Sequence, residues 1–561
     1  MKKLIAFLLC LIMVVSVLAG CGPTAPSSGS NDGTGAANNA EDTLPEDITL
    51  TIGIPQNGKV EDFDTNAYTL WLEETTGYDL QFQVYEGTAA DVKSKLSVSM
   101  VNQDELPDII MKVDLGAGVY EEYGEDGYFI DLAPYFADKE GKSKVWWDRF
   151  NQLEDENWRN YVMNLMTADN GGIYAFPRLE STLIDTMRFQ TYINQDWLDK
   201  LGLPMPTDID SFYNTLIAFR DKDPNGNGKK DEVPLIGSIG KYGDVVSYLI
   251  NMFTYYDRSE FFRYDEQGKL YYTYGSDEYR EALKFVNKLV KEGLLPTTAW
   301  TNDANMVKGV LTPVDGVQKV GVFCAHSSLA FPVNNDVIFS YAAMPYWGYV
   351  AYDDQANQYH TFITEDCEYP DAAWNLLMTM SSEEGAYRMR YGEKGVDWVD
   401  ADPNTVSFLG LPASIKVLNE SAFTDIGNQC WADIIATVLF NSENEACQVS
   451  EDDSDWLKQK YKLTKECYEN YGEAAKKNPS NTGIKLAYTV EELEYIQVSQ
   501  TNTRTFINQC QASFCTGSGD DYNDPYNDAQ WAAYVKGIED QDVATWMSLA
   551  QEVFDLQYGD K

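Results

Sequence analysis

The stretch ITLTIGIP, residues Ile48–Pro55, carries an apolar side chain at every second position, as expected of a β-strand with one covered face. The alternation returns in LQFQV at Leu80–Val84, and a third apolar run, IIMKV, lies at Ile109–Val113. Helical patterns over residues 67–77 and 88–102 separate the three strands. This β-α-β-α-β order predicts a parallel sheet with helices on its faces at the start of the folded body.

The rest of the chain continues with helices and then returns to strands. Helices are predicted over residues 194–202, 208–220 and 277–292, strands over 320–323 and 341–344, and a mainly helical region from 371 onward. An opening α/β lobe, an inserted second lobe and a returning chain make a two-lobed clamp, with its ligand cleft at the ends of parallel strands. We expect the first lobe to comprise approximately residues 47–170 plus returning segments. The second lobe is expected over approximately residues 171–300 plus much of 371–561.

The chain begins with the features of an export signal. Lys2 and Lys3 precede an apolar run over residues 4–20, which has about the length of a signal-peptide core. The small residues directly before Cys21 resemble the bacterial lipobox, in which the cysteine is acylated and the chain is cut just before it. Residues 1–20 are therefore expected to be a lipoprotein signal peptide. The alternative is an ordinary secretory signal with an incidental cysteine.

Residues 21–46 are rich in glycine, serine, alanine, asparagine and proline. Such a segment cannot bury enough apolar surface to offset the entropy of ordering it. It is expected to form a flexible tether between the lipid and a folded body over residues 47–561. The protein would then work at the extracellular face of the cell membrane, held there by its lipid anchor alone.

The composition is that of a large globular body and excludes one class of partner. The 561-residue chain is longer than one core usually serves, and 44% of its residues are apolar. The formal net charge of −46 would repel a phosphate backbone, so no nucleic-acid partner is expected. Cysteines in the body show no metal-site spacing; Cys510 and Cys515 could form a bridge, but isolated buried thiols are expected for most of them.

The sequence DKDPNGNGKKDE, Asp221–Glu232, interleaves oxygen-bearing side chains with glycines, as a calcium-binding loop does. An EF-hand register uses Asp221, Asp223, Asn225, Gly226 and Glu232. A compact register uses Asp223, Asn225, Asn227, the Lys229 carbonyl, Asp231 and Glu232. The compact register is favoured, because an EF-hand needs a helix directly after the loop and VPLI at 233–236 suits an extended segment. The alternative is a polar turn without an ion.

A longer segment around this loop resembles a known protein family. YINQDWLDKLGLPMPTDIDSFYNTLIAFRDKDPNGNGKKDEVPL, Tyr192–Leu235, is similar to the signature region of large extracellular solute-binding lipoproteins of carbohydrate ABC transporters. SSEEG at 381–385 and YGEKGV at 391–396 resemble two further segments of that family, although Lys394 stands where the family more often has glutamate.

The resemblance implies an α/β, two-lobed, periplasmic-binding-protein-like fold with a cleft between the lobes and extra C-terminal helices. It implies the compact calcium register at Asp223, Asn225, Asn227, Lys229, Asp231 and Glu232, with Ca²⁺ in a structural role. As partners it implies an oligosaccharide ligand and the permease subunits of an ABC importer. The receptor itself is expected to be a monomer.

Ligand contacts vary strongly within that family, so candidates for the cleft rest on this chain alone. Sugars present apolar C–H faces to aromatic rings and a rim of hydroxyls to carboxylates, amides or guanidinium groups. Positions that follow predicted strands and turns are favoured, because clefts form there. The candidates are Asp114, Arg178, His326, Ser327, Trp347 and Trp398. For each of them the alternative is a packed or merely exposed loop residue.

Catalysis is not expected of this chain. It has only two histidines and lacks the G-x-S-x-G, P-loop and H-E-x-x-H motifs, and its 88 carboxylates would place some pair at a glycosidase spacing by chance. The expected function is a receptor that captures an oligosaccharide and delivers it to an ABC importer permease. A sensor-linked or adhesive surface receptor of the same fold is the alternative, and a surface polysaccharide hydrolase is a more distant one.

Overall fold

A computed structural model describes residues 45–558 except 46, 117, 153–158, 160, 161, 164, 165, 169, 180–186, 188, 240–242, 259, 326–329, 333, 352–356, 433, 435–445, 480–485, 487 and 519–521. The predicted signal peptide, Cys21 and nearly all of the predicted tether lie outside the described residues. Residues 46–561 group into one compact unit by their contacts. Among the residues that are described, no helix is both long and apolar enough to cross a membrane.

The described residues form strands and helices along the whole body. The strands are β1 (Ile48–Pro55), β2 (Tyr78–Tyr85), β3 (Ile109–Ile110), β4 (Phe176–Leu179), β5 (Gln190–Asn194), β6 (Val233–Ile236), β7 (Arg263–Tyr264), β8 (Leu270–Tyr271), β9 (Val320–Ala325), β10 (Tyr341–Ala343), β11 (Asn357–Ile363), β12 (Trp398–Asp400) and β13 (Ile415–Val417). The α-helices are α1 (Ala67–Thr76), α2 (Ala89–Asn102), α3 (Val119–Glu125), α4 (Ala133–Ala137), α5 (Lys144–Phe150), α6 (Gln195–Leu201), α7 (Ile209–Asp221), α8 (Val245–Ile250), α9 (Asp277–Lys291), α10 (Ala304–Leu311), α11 (Pro370–Met380), α12 (Glu383–Tyr391), α13 (Ser421–Thr424), α14 (Asp455–Ala475), α15 (Val490–Thr516), α16 (Asp528–Glu539) and α17 (Val543–Tyr558).

The first sheet has the strand order β2-β1-β3-β11-β4. β2 and β3 lie parallel to β1, while β11 runs antiparallel to both β3 and β4. The predicted parallel β-α-β-α-β opening is therefore confirmed. β3 is shorter than the predicted Ile109–Val113, because Lys112 adopts a left-handed backbone with φ of 60°, which interrupts the extended conformation of the strand.

The first two helices begin and end at residues whose chemistry explains the boundary. Asn66 caps α1 by accepting a hydrogen bond from the Tyr68 N–H, and Gly77 ends it with φ of 78°. Thr88 and Asp91 form a capping box at the start of α2. The two helices are thereby fixed close to the strand ends that they join.

We call the first sheet, with the helices that pack against it, lobe 1. Its main core gathers the inward side chains of β1 and extends to α11 and α12, including Trp374 and Met389. Residues that return late in the chain therefore complete the core that the first residues begin. β4, at Phe176–Leu179, also pairs within this sheet.

The second sheet has the order β10-β5-β9-β6, with β6 parallel to β9 and β5 antiparallel to both of its neighbours. We call this sheet and the helices on it lobe 2. Its main core takes the buried face of α9 together with residues of α14, α15, α16 and α17, which correspond to the extra C-terminal helices that were predicted. The strands of lobe 2 come from residues 190–343, whereas those of lobe 1 flank this range.

Most of the other elements lie where the sequence pattern predicted them. The helices predicted over 194–202, 208–220 and 277–292 are present as α6, α7 and α9, and the strands predicted at 320–323 and 341–344 are present as β9 and β10. Ser276 caps α9, and its apolar side chains recur at helical spacing so that one face is buried. The agreement is closest where a cap and a clear periodicity coincide.

The seven cysteines of the body are free and buried. A bridge between Cys510 and Cys515 does not form, because both lie on α15 five residues apart, which places them on different faces of the helix. Isolated buried thiols, the state expected for most of them, are confirmed.

Candidate functional site

A pocket of about 320 Å³ opens at the carboxyl ends of β1, β2 and β3. Parallel strands bring these ends to one edge of the sheet, where open α/β sheets bind ligands. The pocket is lined by Pro55, Gln56, Asn57, Gly87, Ala89, Val92, Lys112, Val113, Asp114 and Ile434. Of the predicted ligand contacts, Asp114 lies in this lining.

Backbone hydrogen bonds tie the strand ends around the pocket to one another. The Gln56 N–H donates to the Tyr85 carbonyl at 2.9 Å, and the Met111 N–H donates to the Gly53 carbonyl at 2.8 Å. The capping box of Thr88 holds the first turn of α2 against the same edge. The wall of the pocket is thus built on elements that are fixed by their own hydrogen bonds.

The side chains at this edge supply both hydrogen-bond donors and acceptors. Lys112 has a left-handed backbone, a conformation that non-glycine residues rarely adopt and that often marks functional sites. Asp114 is exposed, and its Oδ1 accepts a hydrogen bond from the Gly116 N–H at 2.9 Å. With the amides of Gln56 and Asn57, the pocket presents a cation, an anion and two groups that can donate and accept.

Behind the pocket, β11 carries a bulge at His360, where its pairing with β4 shifts register. The His360 carbonyl accepts a hydrogen bond from the Val113 N–H at 3.1 Å. Burial, and then the positive charges of Lys112 and Arg178, hold the pKa of His360 well below its usual value, so the ring is neutral at pH 7. Arg178, a predicted ligand contact, is buried in β4 beside this histidine and is not part of the pocket lining.

Both predicted tryptophans pack within their lobes. Trp347 is half-buried, and its ring centroid lies 5.7 Å from that of Phe212 in α7. Gly348 allows a close approach to Asn251, since a Cβ there would lie 2.1 Å from the Asn251 carbonyl oxygen. Trp398 is 1% exposed, and its indole N–H donates to a backbone carbonyl at 2.9 Å. The positions of Trp347 and Trp398 do not support the prediction that either residue contacts a ligand.

His326 and Ser327, the candidates that follow β9, lie outside the described residues. The neighbouring loop, which follows β6, is described in part and packs on the carboxyl end of β9. Gly243 in this loop lies so close to Ala325 that a Cβ on the glycine would be 2.9 Å from the Ala325 Cα. Lobe 2 therefore also presents a loop at the carboxyl ends of its parallel strands.

A buried ion pair occupies this edge of lobe 2. The Arg258 Nε donates to the Asp244 Oδ2 at 2.8 Å, and the Asp244 side chain is 3% exposed. Asp244 also caps α8 by accepting from the Ser247 N–H. The paired carboxylate raises the pKa of Arg258, although its burial alone would lower it.

The candidate calcium loop joins α7 to β6, as predicted. The Asn227 N–H donates to the Asp223 Oδ1 at 3.1 Å. The side-chain amides of Asn225 and Asn227 lie 3.2 and 2.9 Å from the Asp231 Oδ1. The side chains of Asn225 and Asn227 therefore meet at the Asp231 carboxylate, while the Asp223 carboxylate binds the backbone of the same loop.

Two further observations bear on the choice of register. The Asp221 carboxylate, which only the EF-hand register uses, pairs with the Arg220 guanidinium at 2.7 and 2.8 Å. The segment after the loop is the strand β6 rather than a helix, so the expected extended segment is confirmed. Both observations favour the compact set.

Glu232 has the surroundings of a carboxylate that faces a cation. Its Oε1 is buried with no hydrogen-bond partner. Burial, followed by the nearby carboxylates of Asp223 and Asp231, raises the pKa of Glu232. The three carboxylates of the compact set, Asp223, Asp231 and Glu232, do not meet around one centre, since the described side chains form no cluster of three acidic, histidine or cysteine ligands. By type alone, the carboxylates, amides and backbone carbonyl of this set are oxygen ligands of the kind that calcium takes.

Several residues at the two edges were not found from the sequence. Gln56 and Asn57 follow β1 as Asp114 follows β3, so the rule that selected Asp114 could have selected them as well. Ile434 and the pair of Asp244 with Arg258 carry no local signal, because the chain brings them to these edges only through its tertiary fold.

The comparisons with known proteins agree with this geometry. The model of the family described as bacterial extracellular solute-binding protein matches residues 57–387. The fructooligosaccharide ABC transporter substrate-binding protein FusA of Streptococcus pneumoniae serotype 4 is 24% identical over 516 residues, which cover 87% of each chain.

Two solved structures show the same fold. An HMO-binding, ABC-transporter-associated solute-binding protein from Bifidobacterium longum infantis ATCC 15697 superposes with a TM-score of 0.70 at 19% identity, over 91% of this chain and 99% of that chain. An EF-hand mutant of S. pneumoniae FusA in complex with fructo-nystose superposes with a TM-score of 0.64 at 21% identity, over 91% of this chain and all of the other.

These likenesses confirm the predicted α/β, two-lobed, periplasmic-binding-protein-like fold. The family match covers more than half of the chain and includes the loop over residues 221–232. Of the strand ends that form the pocket, those of β2 and β3 lie within the matched range, whereas β1 precedes it. This chain belongs to the family of bacterial extracellular solute-binding proteins.

Proposed function

We propose that this chain is the receptor of a carbohydrate importer, which captures an oligosaccharide outside the cell and delivers it to the permease of an ABC transporter. The observation that carries the proposal is the pocket at the carboxyl ends of β1, β2 and β3. Its relatives are named for the binding of fructooligosaccharides and of HMO, which supports a sugar as the solute.

The lining of the pocket suits a neutral, hydroxyl-rich ligand. Each sugar hydroxyl can donate one hydrogen bond and accept two, and the pocket offers an anion at Asp114, a cation at Lys112 and two amides. Apolar lining from Val92, Val113 and other residues can cover C–H faces. At about 320 Å³, this pocket suits one end of an oligosaccharide rather than its whole length.

A receptor of this kind works by binding alone. A ligand that contacts both lobes favours the form in which the lobes are closed, and the permease then recognises that form. No bond of the sugar needs to be broken, so the proposal includes no catalytic residue. We further propose that the protein acts as a monomer held at the extracellular face of the membrane by a lipid on Cys21.

We also propose a structural Ca²⁺ at Asp223, Asn225, Asn227, the Lys229 carbonyl, Asp231 and Glu232. When bound, the ion would join the end of α7 to the start of β6. The buried and unpartnered Oε1 of Glu232 supports this proposal. A relative whose structure carries an altered EF-hand is consistent with it, although that likeness shows the fold alone.

The receptor proposal is tested by melting the protein in the presence of neutral and acidic oligosaccharides and of peptides. A bound ligand raises Tm by mass action, so one class of oligosaccharide should do so. Asp114→Asn should weaken binding of that ligand about tenfold or more, because it removes a charged acceptor worth about 1.5–3 kcal/mol. Titration calorimetry measures this change.

Glu125→Gln is the matched control, since Glu125 is an exposed acid on α3 in the same lobe and lies outside the pocket lining. It should bind the sugar as the unsubstituted protein does. A rise in Tm with peptides alone would overturn the carbohydrate assignment. Release of shorter sugars during incubation would instead identify a hydrolase.

A further inference from the structure

The parallel strands β6 and β9 of lobe 2 end side by side, with Ile236 paired to Phe323 near their carboxyl ends. The loop after β6 then folds back, as the Ser238 N–H donates to the Gly243 carbonyl at 3.2 Å. Asp244 comes next and begins α8. Asp244 therefore occupies, in lobe 2, the same kind of strand-end position that Asp114 occupies in lobe 1.

Arg258 is held at this edge in a defined orientation. Its Nε donates to the Asp244 Oδ2 at 2.8 Å, and its Nη1 lies 3.4 Å from the Oδ1 of Asn508, an exposed residue of α15. Ser247 holds the carboxylate in turn, with its Oγ at 2.7 Å from Oδ2 and its N–H at 3.0 Å from Oδ1. The guanidinium group is thereby fixed before any ligand arrives.

The pairing leaves part of the guanidinium group without an acceptor. Arginine and carboxylate usually pair through two parallel hydrogen bonds, but here the Ser247 N–H takes the second oxygen of Asp244. The Arg258 Nη2 consequently has no hydrogen-bond partner, although it is buried. The side chain as a whole is 23% exposed, so other atoms of Arg258 reach the surface while Nη2 is covered.

We propose that Arg258 is the sugar-binding group of lobe 2, with Asp244 as the residue that positions it. The inference rests on the proposed receptor function and adds to it the contact that the second lobe makes. Closure of the lobes on an oligosaccharide would bring an oxygen acceptor to the guanidinium group, and a shift of the Arg258 side chain would uncover Nη2 for that acceptor. A ligand held by Asp114 in one lobe and by Arg258 in the other would favour the closed form.

The chemistry of this contact defines the class of ligand. A guanidinium group only donates hydrogen bonds, so it takes a hydroxyl oxygen of a neutral sugar or a carboxylate of an acidic one. A cationic ligand would be repelled. Replacing Arg258 with lysine distinguishes a hydroxyl acceptor from a carboxylate acceptor, because lysine keeps the positive charge but lacks the planar set of N–H donors.

The test compares the unsubstituted chain with Arg258→Lys and Arg258→Gln, using fructooligosaccharides as the neutral probe and oligogalacturonates as the acidic probe. For a neutral ligand, both variants should raise Kd at least about tenfold, because the directed N–H donor is lost. For an acidic ligand, Arg258→Gln should raise Kd by a similar factor, while Arg258→Lys should keep most of the affinity. Titration calorimetry gives Kd, and the Tm without ligand reports the fold.

Arg280→Gln is the matched control, because the Arg280 side chain is also mostly buried, at 14% exposed, and pairs with a carboxylate, that of Asp528 at 2.8 Å, but between α9 and α16 rather than at the strand ends. It should leave Kd unchanged. If the unsubstituted chain binds sugar and both Arg258 variants bind it within about twofold of its Kd, the pair is only a structural one and the inference is wrong. If Arg258→Gln fails to fold, the Kd of Arg258→Lys tests the inference for a neutral ligand, and the Kd of Asp244→Asn tests it for an acidic ligand. If no oligosaccharide binds the unsubstituted chain, the receptor proposal itself falls.

Discussion

Glu232 carries a carboxylate whose charge its surroundings disfavour. Because its pKa in the folded chain is raised, the unfolded chain releases this proton more readily, and the metal-free protein loses stability as pH rises through that range. Bound Ca²⁺ reverses the effect, since the ion favours the charged carboxylate. Asp231 does not contribute to this trend, because hydrogen bonds from Asn227 and Lys319 lower its pKa to about 2.

We therefore expect the difference in Tm between protein with calcium and protein freed of metal by dialysis to grow from about pH 4 to about pH 7, as measured by scanning calorimetry. Glu232→Gln should remove this growth. Asp221→Asn is the control that separates the two registers, because Asp221 pairs with Arg220 and belongs only to the EF-hand set. A Tm that does not respond to removal of the metal at any pH would argue against the ion.

The individual residues of the candidate site are the feature that the sequence predicts least well. Asp114 could be selected because it directly follows the strand predicted at Ile109–Val113, and it lines the pocket. Trp398 was selected by the turn before it, yet it lies in the core, because an indole ring at the end of a turn can fold inward as readily as outward. Arg258 could not be selected, since its partner Asp244 is fourteen positions away and they meet only in the tertiary fold.

Helix α2 links the stability of lobe 1 to its pocket. Its capping residue, Thr88, lies between Gly87 and Ala89, both of which line the pocket. We expect Thr88→Ala to lower the free energy of unfolding by about 1 kcal/mol, because the first turn loses its side-chain acceptor. It should also reduce the rise in Tm that the sugar produces, because the pocket wall loosens.

Thr489→Ala provides the comparison, since Thr489 forms the same kind of capping box at the start of α15 in lobe 2. It should lower the free energy of unfolding by a similar amount, as measured by urea titration, and leave the effect of sugar unchanged. Equal losses of sugar binding in the two variants would contradict the role given to α2.

Elements could be predicted where local chemistry determines them. The opening β-α-β-α-β order follows from alternation and helical periodicity, and caps such as Asn66 and Thr88 set the helix starts. The short β3 could not be foreseen, because the left-handed turn at Lys112 opposes the preference of that residue. The membership of β4 in the first sheet depends on its pairing with β11, far along the chain.

At the scale of the whole molecule, the chain folds without disulfide bonds among its described residues. All seven body cysteines are free and buried. Burial raises the pKa values of the thiols of Cys324, Cys467 and Cys510 to about 12, so little of the reactive thiolate exists at neutral pH. The cores of the two lobes must therefore supply the stability that many exported proteins take from cross-links.

We expect Ellman's reagent to leave the body thiols of the folded protein unmodified and to titrate all seven in guanidinium chloride. A reducing agent should leave Tm unchanged, as scanning calorimetry would show. Rapid modification of the folded protein, or a fall in Tm on reduction, would mean that some thiols are exposed or bridged. Addition of the sugar ligand to folded protein provides a control, because it should not change thiol reactivity.

The pocket in lobe 1 takes one wall from Ile434, while its first residues are Pro55 and Gln56. β11, α11 and α12 likewise join this lobe only after the strands of lobe 2 have left the ribosome. During synthesis and secretion, the strands of both sheets are complete before α14 to α17, which close the core of lobe 2, have been made. A polypeptide that ends before residue 455 would therefore carry an unfinished second lobe, and surveillance proteases would find their target there.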